Sequence, residues 1–96
     1  MLTGKYLDGA RPAGTRYALF DTVGQRYRKP EVSEAVAAYA ALARARGLAL
    51  VELALGYVQS RWFVGATIIG ATTLAQLYAD IAAAQVTLDA ETRAAI

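Results

Sequence analysis

Cysteine and histidine are both missing from this 96-residue sequence. Without cysteine there is no disulfide framework and no thiolate chemistry. Without histidine, the commonest general acid–base and the commonest metal ligand are gone. Charge is scarce as well, at 19% of residues, too little to suggest a disordered chain. No apolar run approaches the roughly 18–20 residues that cross a bilayer, so no membrane helix is expected. Met1-Leu2-Thr3-Gly4-Lys5-Tyr6 lacks the apolar core of a signal peptide. Glu52 is the only acid between Glu34 and Asp80, which leaves no carboxylate pair for hydrolysis there. The expected setting is soluble, reducing and cytoplasmic.

What is present is apolar. Hydrophobic residues make up 56% of the chain and the mean hydropathy is +0.29, high for so small a domain. A small body has much surface, and few charges are available here to cover it, so apolar faces meant for a neighbour are expected. The net charge of +2 is unevenly spread. Residues 1–29 hold six basic side chains (Lys5, Arg11, Arg16, Arg26, Arg28, Lys29) against Asp8 and Asp21, while residues 30–96 carry a net −2. The positive segment invites an anionic partner. No nucleic-acid-binding motif accompanies it, and no nucleic-acid partner is expected.

Residues 1–29 contain Gly4, Gly9, Pro12, Gly14 and Gly24 and show neither helical nor strand periodicity, so they read as a long irregular loop. Pro30 and Glu31 suit a helix start. Val32, Val36, Tyr39 and Ala43 share one face, and Gly47 supplies a left-handed stop, which predicts a helix over 31–46. Residues 50–60 form a second helix, apolar nearly all round and therefore buried on two sides. Residues 63–69, rich in aromatic and β-branched types, read as one buried strand, with Trp62 and Phe63 as packing residues. Thr73 and Gln76 match a capping box, and Leu74, Leu77, Tyr78 and Ile81 follow at helical spacing to about Ala84. Asp89 caps a last short helix over 90–96.

One strand without a partner cannot satisfy its backbone groups, which predicts either a larger missing sheet or association of copies into dimers or higher oligomers. The turn Ile69-Gly70-Ala71-Thr72-Thr73, feeding a helix, is open to two readings. It is either a structural strand-to-helix turn or an anion cradle, where glycine admits a ligand and free amides point at it.

Longer stretches carry a resemblance. Leu2-Thr3-Gly4-Lys5-Tyr6 and Gly9-Ala10-Arg11-Pro12-Ala13-Gly14-Thr15-Arg16 look like the loop after the seventh strand of aldo-keto reductases. Leu53-Ala54-Leu55-Gly56-Tyr57-Val58 is similar to that family's "QLAL.WV" helix. Ile68-Ile69-Gly70-Ala71-Thr72-Thr73-Leu74-Ala75-Gln76-Leu77 resembles its "IIGATT..QL" signature, and Val86-Thr87-Leu88-Asp89-Ala90-Glu91 its closing helix start. The resemblance runs in order across essentially the whole chain. It implies α/β by family, the C-terminal fragment of a (β/α)8 TIM barrel. Residues 1–96 would then be a partial domain, with 1–29 the cofactor-side loop and 30–96 the helices and last barrel strand. By itself the chain is expected to be mostly α-helical with one strand at about 63–69.

The resemblance implies NADPH as cofactor, with Lys5, Arg16, Gly70, Thr72, Gln76 and Asp80 in its site. Lys5 and Arg16 would meet phosphates from the loop, which would be mobile without cofactor. Gly70, Thr72 and Gln76 would line the adenosine-phosphate end, and Asp80 would face the adenine. The family commonly has Glu-Asn where Ala79 and Asp80 stand, and a carboxylate can accept from the adenine amino group but cannot donate to a ring nitrogen. The family's catalytic Asp, Tyr, Lys and His have no matching motif here, so no catalytic residue and no activity of the chain alone are expected. Tyr6, Tyr17, Tyr27, Tyr39, Tyr57 and Tyr78 read as core or loop aromatics. A truncated reading frame, a split gene or a cut chain would account for this, with the missing N-terminal barrel portion as partner. The rival reading is a small self-associating helical protein without enzymatic activity.

Overall fold

The computed structural model describes residues 1–20 and 22–96, with the backbone alone at Arg26. Asp21 and the Arg26 side chain, both counted in the charge above, lie outside the described residues. Helices follow in the order α1 (Arg16–Leu19), α2 (Pro30–Ala45), α3 (Leu50–Gln59), α4 (Leu74–Ala83) and α5 (Ala90–Ala95). Single 3-10 turns at Leu7–Gly9 and Gln25–Tyr27 flank α1, so the expected irregular loop holds three short helical pieces.

The long helix α2 opens on Pro30, whose missing amide costs nothing in a first turn, and Glu31 faces the positive helix end. It closes in a Schellman motif: Gly47 takes φ 68°, the Leu48 amide donates to the Ala43 carbonyl at 2.9 Å, and the Gly47 amide to Arg44 at 3.1 Å. The expected face is the buried one, with Val36 and Ala43 buried and Val32 and Tyr39 half-buried. Helix α3 lies between α2 and α4, as an all-round apolar helix should. The Ala49 amide donates to Glu52 Oε2 at 2.7 Å, half of a capping box, since alanine offers no acceptor in return. Ala43, Leu53 and Leu88 form the core, with Tyr39, Leu42, Leu48, Tyr57, Val86 and Ile96 packed around them. That core ties α2, α3 and the approach to α5 together.

Two expectations fail for the same reason. Residues 63–69 are not a strand: Phe63 lies in a turn, and among the described residues no neighbouring strand exists to form a ladder. β-propensity cannot act without a partner to bond. Trp62 and Phe63 pack edge-on against each other, 5.7 Å between ring centroids, and are 95% and 66% exposed rather than buried. The stripe Leu74, Leu77, Tyr78 and Ile81 also faces outward, while α4 turns its Gln76–Asp80–Ala83 side inward. The spacing of the stripe is right, but nothing covers it.

At the C-terminal end, Asp89 caps α5 as expected, Oδ1 accepting from the Thr92 amide at 2.6 Å. Arg46 at the end of α2 reaches Glu91 at 2.7 Å. The Thr92 amide holds the Asp89 carboxyl below its usual range, and the hydrogen bond from Arg46 does the same for Glu91. A carboxylate depressed in the folded state adds stability that is complete above its unfolded value, about 4, and is lost as pH falls through the lower folded value. Thermal unfolding should therefore shift to lower temperature from pH 5 down to pH 3. The shift should shrink in Glu91→Gln, because that side chain no longer titrates. Both groups are exposed, so the change should be small.

Candidate functional site

A cleft of about 400 Å³ opens between the N-terminal loop, α3 and the start of α4. Thr3 and Lys5 line it from the loop, Val51 from α3, Gly70 and Ala71 from the turn before α4, and Gln76 and Asp80 from α4 itself. Gln76 and Asp80 both line it because residues four apart lie on one helix face. Ala75 and Ala79, with their short side chains, keep the space between them open.

The chemistry differs along the cleft. Near Gly70 it suits an anion. Lys5 brings a cation, and the amide of Ala75, which lines the cleft, precedes the first intrahelical bond of α4, which runs from Leu77 to the Thr73 carbonyl at 3.0 Å. A Cβ at Gly70 would meet nothing within 4 Å, so packing within the protein does not account for a glycine there. The space stays open to a ligand's close approach. Toward Asp80 the cleft offers a carboxylate, which when ionised accepts hydrogen bonds only.

Gln76 links the two ends. Its amide donates to Thr73 Oγ1 at 3.2 Å, the expected cap. Its side-chain Oε1 does not return to the Thr73 amide as a regular capping box requires. It accepts instead from the Thr72 amide at 2.8 Å and the Thr72 hydroxyl at 3.1 Å, one residue before the N-cap. With its oxygen occupied, Gln76 presents the two N–H groups of its amide, donors suited to phosphate or ring-nitrogen acceptors.

Of the residues singled out in the sequence, Lys5, Gly70, Gln76 and Asp80 line this one cleft, and Thr72 is bonded into it through Gln76. Arg16 is not brought there: it begins α1 and is exposed. Thr3 and Val51 line the cleft without having been singled out, since neither carries a charge, although Thr3 lies in the stretch that resembles the family loop. Among the described residues no group of His, Cys, Asp or Glu could hold a metal ion, and no helix is long and apolar enough to cross a membrane. The cleft thus combines a cation, a helix start and amide donors with a carboxylate.

Comparison with known proteins bears on the family. The model of the aldo/keto reductase family matches residues 1–96. The proteins named "Protein tas" in Escherichia coli strain K12 and in Shigella flexneri are each 48% identical over 80 residues, 83% of this chain. The chain spans 23% of the length of those relatives. Matched over its whole length by the family and nearly half identical to such relatives, the chain belongs to the aldo/keto reductase family and is a segment of that family's (β/α)8 barrel.

Proposed function

We propose that this segment supplies the adenosine-phosphate end of the NADPH site in a cytoplasmic oxidoreductase of the aldo-keto reductase type, and that the chain alone catalyses nothing. The observation that carries the reading is the single cleft that gathers Lys5, Gly70, Gln76 and Asp80 at the start of α4. The residues fit the group. Lys5 and the Ala75 amide would hold a phosphate, Gly70 leaves it room, and the Gln76 amide donates toward ribose or base. When bound, NADPH supplies hydride to a carbonyl. The residues of this chain bind and orient, and no histidine is present to tune a proton transfer. Arg16 belongs to the reading only if α1 swings toward the cleft when a dinucleotide binds.

The second part of the reading concerns assembly. The accessible surface is 6743 Å², against about 5,300 Å² expected for a folded monomer of this mass. The excess, about 1,400 Å², exceeds the roughly 800 Å² that each partner buries in a standard interface. Much of it is apolar: Ile68 is 98% and Leu74 70% exposed. Thr67 Oγ1 is buried without a hydrogen-bond partner in the same stretch. A run apolar on both faces is typical of a strand inside a parallel sheet, which is covered on both faces and hydrogen-bonded along both edges. A two-fold dimer pairs only one edge, so the remaining strands of a barrel fit better than a second copy. Self-association is the substitute when those strands are absent.

Sedimentation followed by titration tests both parts on the 96-residue chain. The expected result is a dimer or larger species that binds NADPH at micromolar concentration, followed by fluorescence. A monodisperse folded monomer would contradict the assembly reading. No response at millimolar NADPH would contradict the cofactor reading.

A further inference from the structure

The N-terminal loop contains a stack of which only Lys5 lines the cleft and no member belongs to the core. The Lys5 ammonium lies 5.2 Å from the centroid of the Tyr6 ring. Tyr6 is stacked on Tyr17, with centroids 4.3 Å apart and planes 19° from parallel. Arg28 lies on Tyr17, with Cζ 6.0 Å from its ring centroid. The Tyr17 hydroxyl also donates to the Met1 sulfur at 3.5 Å. Four side chains thus alternate cation, ring, ring, cation, and the first is the one that lines the cleft.

The seat of the stack is Gly24. Its φ of 75° is left-handed, and the Tyr17 ring occupies the place where a Cβ would stand. Any other residue there would be strained and would push the ring away. A loop with no regular hydrogen-bond ladder therefore spends a glycine on placing one aromatic ring. A flexible lysine loses considerable rotamer freedom when it meets a ligand, and a ring that holds its head group beforehand removes part of that cost.

We propose that Tyr6 and Tyr17 are positioning residues: their stack, seated on Gly24, holds the Lys5 ammonium at the cleft before any anion arrives. The binding effect rests on the dinucleotide reading above, whereas the placement of Lys5 does not.

The test therefore has two readouts. In the free chain, the Lys5 side-chain methylene protons should show an upfield ring-current shift by NMR. That shift should vanish in Tyr17→Ala, survive in Tyr17→Phe, and vanish again in Gly24→Ala, the second route to the same disruption. Circular dichroism should stay unchanged, since α2 to α5 do not depend on the stack. In NADPH titrations, Tyr6→Ala should weaken binding roughly fivefold, the size of the one exposed cation–π contact that Lys5 makes, and Tyr17→Ala, which removes the support of that ring, by no more than this. Tyr17→Phe should bind normally, and Lys5→Ala combined with Tyr17→Ala should bind no worse than Lys5→Ala alone. A Lys5 shift that persists in Tyr17→Ala, or losses that add in the double variant, would overturn the proposal. If the shift behaves as expected while the unmodified chain binds no NADPH, the cofactor reading falls and the placement of Lys5 stands.

Discussion

Replacing Gly70 by Asp is expected to weaken NADPH binding by more than tenfold while leaving thermal unfolding unchanged. A Cβ at that position would meet nothing within 4 Å and the residue is exposed, so the fold has little reason to respond. The new carboxylate would stand in the turn that lines the cleft before α4, where the proposed phosphate lies. At about 4 Å, two like charges repel by roughly 4 kcal/mol at an effective dielectric constant near 20, and by about 1 kcal/mol in bulk water. An open cleft lies between these limits, which puts the loss at tenfold or somewhat more. Gly70→Ala is the control, because it adds volume without charge and should cost far less. Equal affinities for the Asp variant and the unmodified chain, measured by the same fluorescence titration, would remove the phosphate from this end of the cleft.

The second large effect is on stability. Leu53 is 2% exposed and sits between α2 and Leu88 in the small core. Leu53→Ala removes that contact and leaves a cavity, at an expected cost of about 2–5 kcal/mol. A domain of this size has little reserve, so a cost in that range takes most of its stability. Denaturant unfolding should show the midpoint falling steeply, or no folded baseline at all. Ile68→Ala deletes a similar amount of apolar surface where the side chain is 98% exposed within one chain, and should leave the midpoint within error at dilutions where the chain is monomeric. A loss at Ile68 comparable to that at Leu53 would mean that residue 68 is already covered in solution, as assembly through the 63–69 stretch requires. The pair of variants thus reports on the core and on association together.

The local elements were legible because their signals are local. Pro30, the Gly47 stop, the Thr73 cap and the Asp89 cap each act within one turn of helix, and each stands where its residue type predicts. The cleft was legible for a different reason. The turn around Gly70 and the helix start after it are contiguous, so Gly70, Thr72, Gln76 and Asp80 come together through the geometry of one helix. Lys5 was singled out by its resemblance to a family loop, and its place in the cleft depends on the fold. Arg16 was singled out on the same grounds and ended elsewhere, because nothing in the neighbourhood of a loop residue constrains where the loop runs.

The apolar run at 63–69 shows the limit. Composition names a strand there, but a strand is defined by hydrogen bonds to another segment, and the described residues contain none to offer. The same holds for Leu74, Leu77, Tyr78 and Ile81, whose spacing specifies a face and not what lies against it. By itself, then, the sequence determined α2 to α5 and their ends, the family and the contiguous part of the cleft, all set by interactions within a few residues or by motifs in order, but not α1 and the two 3-10 turns of the first 29 residues. Only the tertiary structure decided that Lys5 rather than Arg16 joins that cleft and that two tyrosines and a glycine stand behind it. It also decided which apolar faces are buried, since long-range neighbours and not local preference set those outcomes.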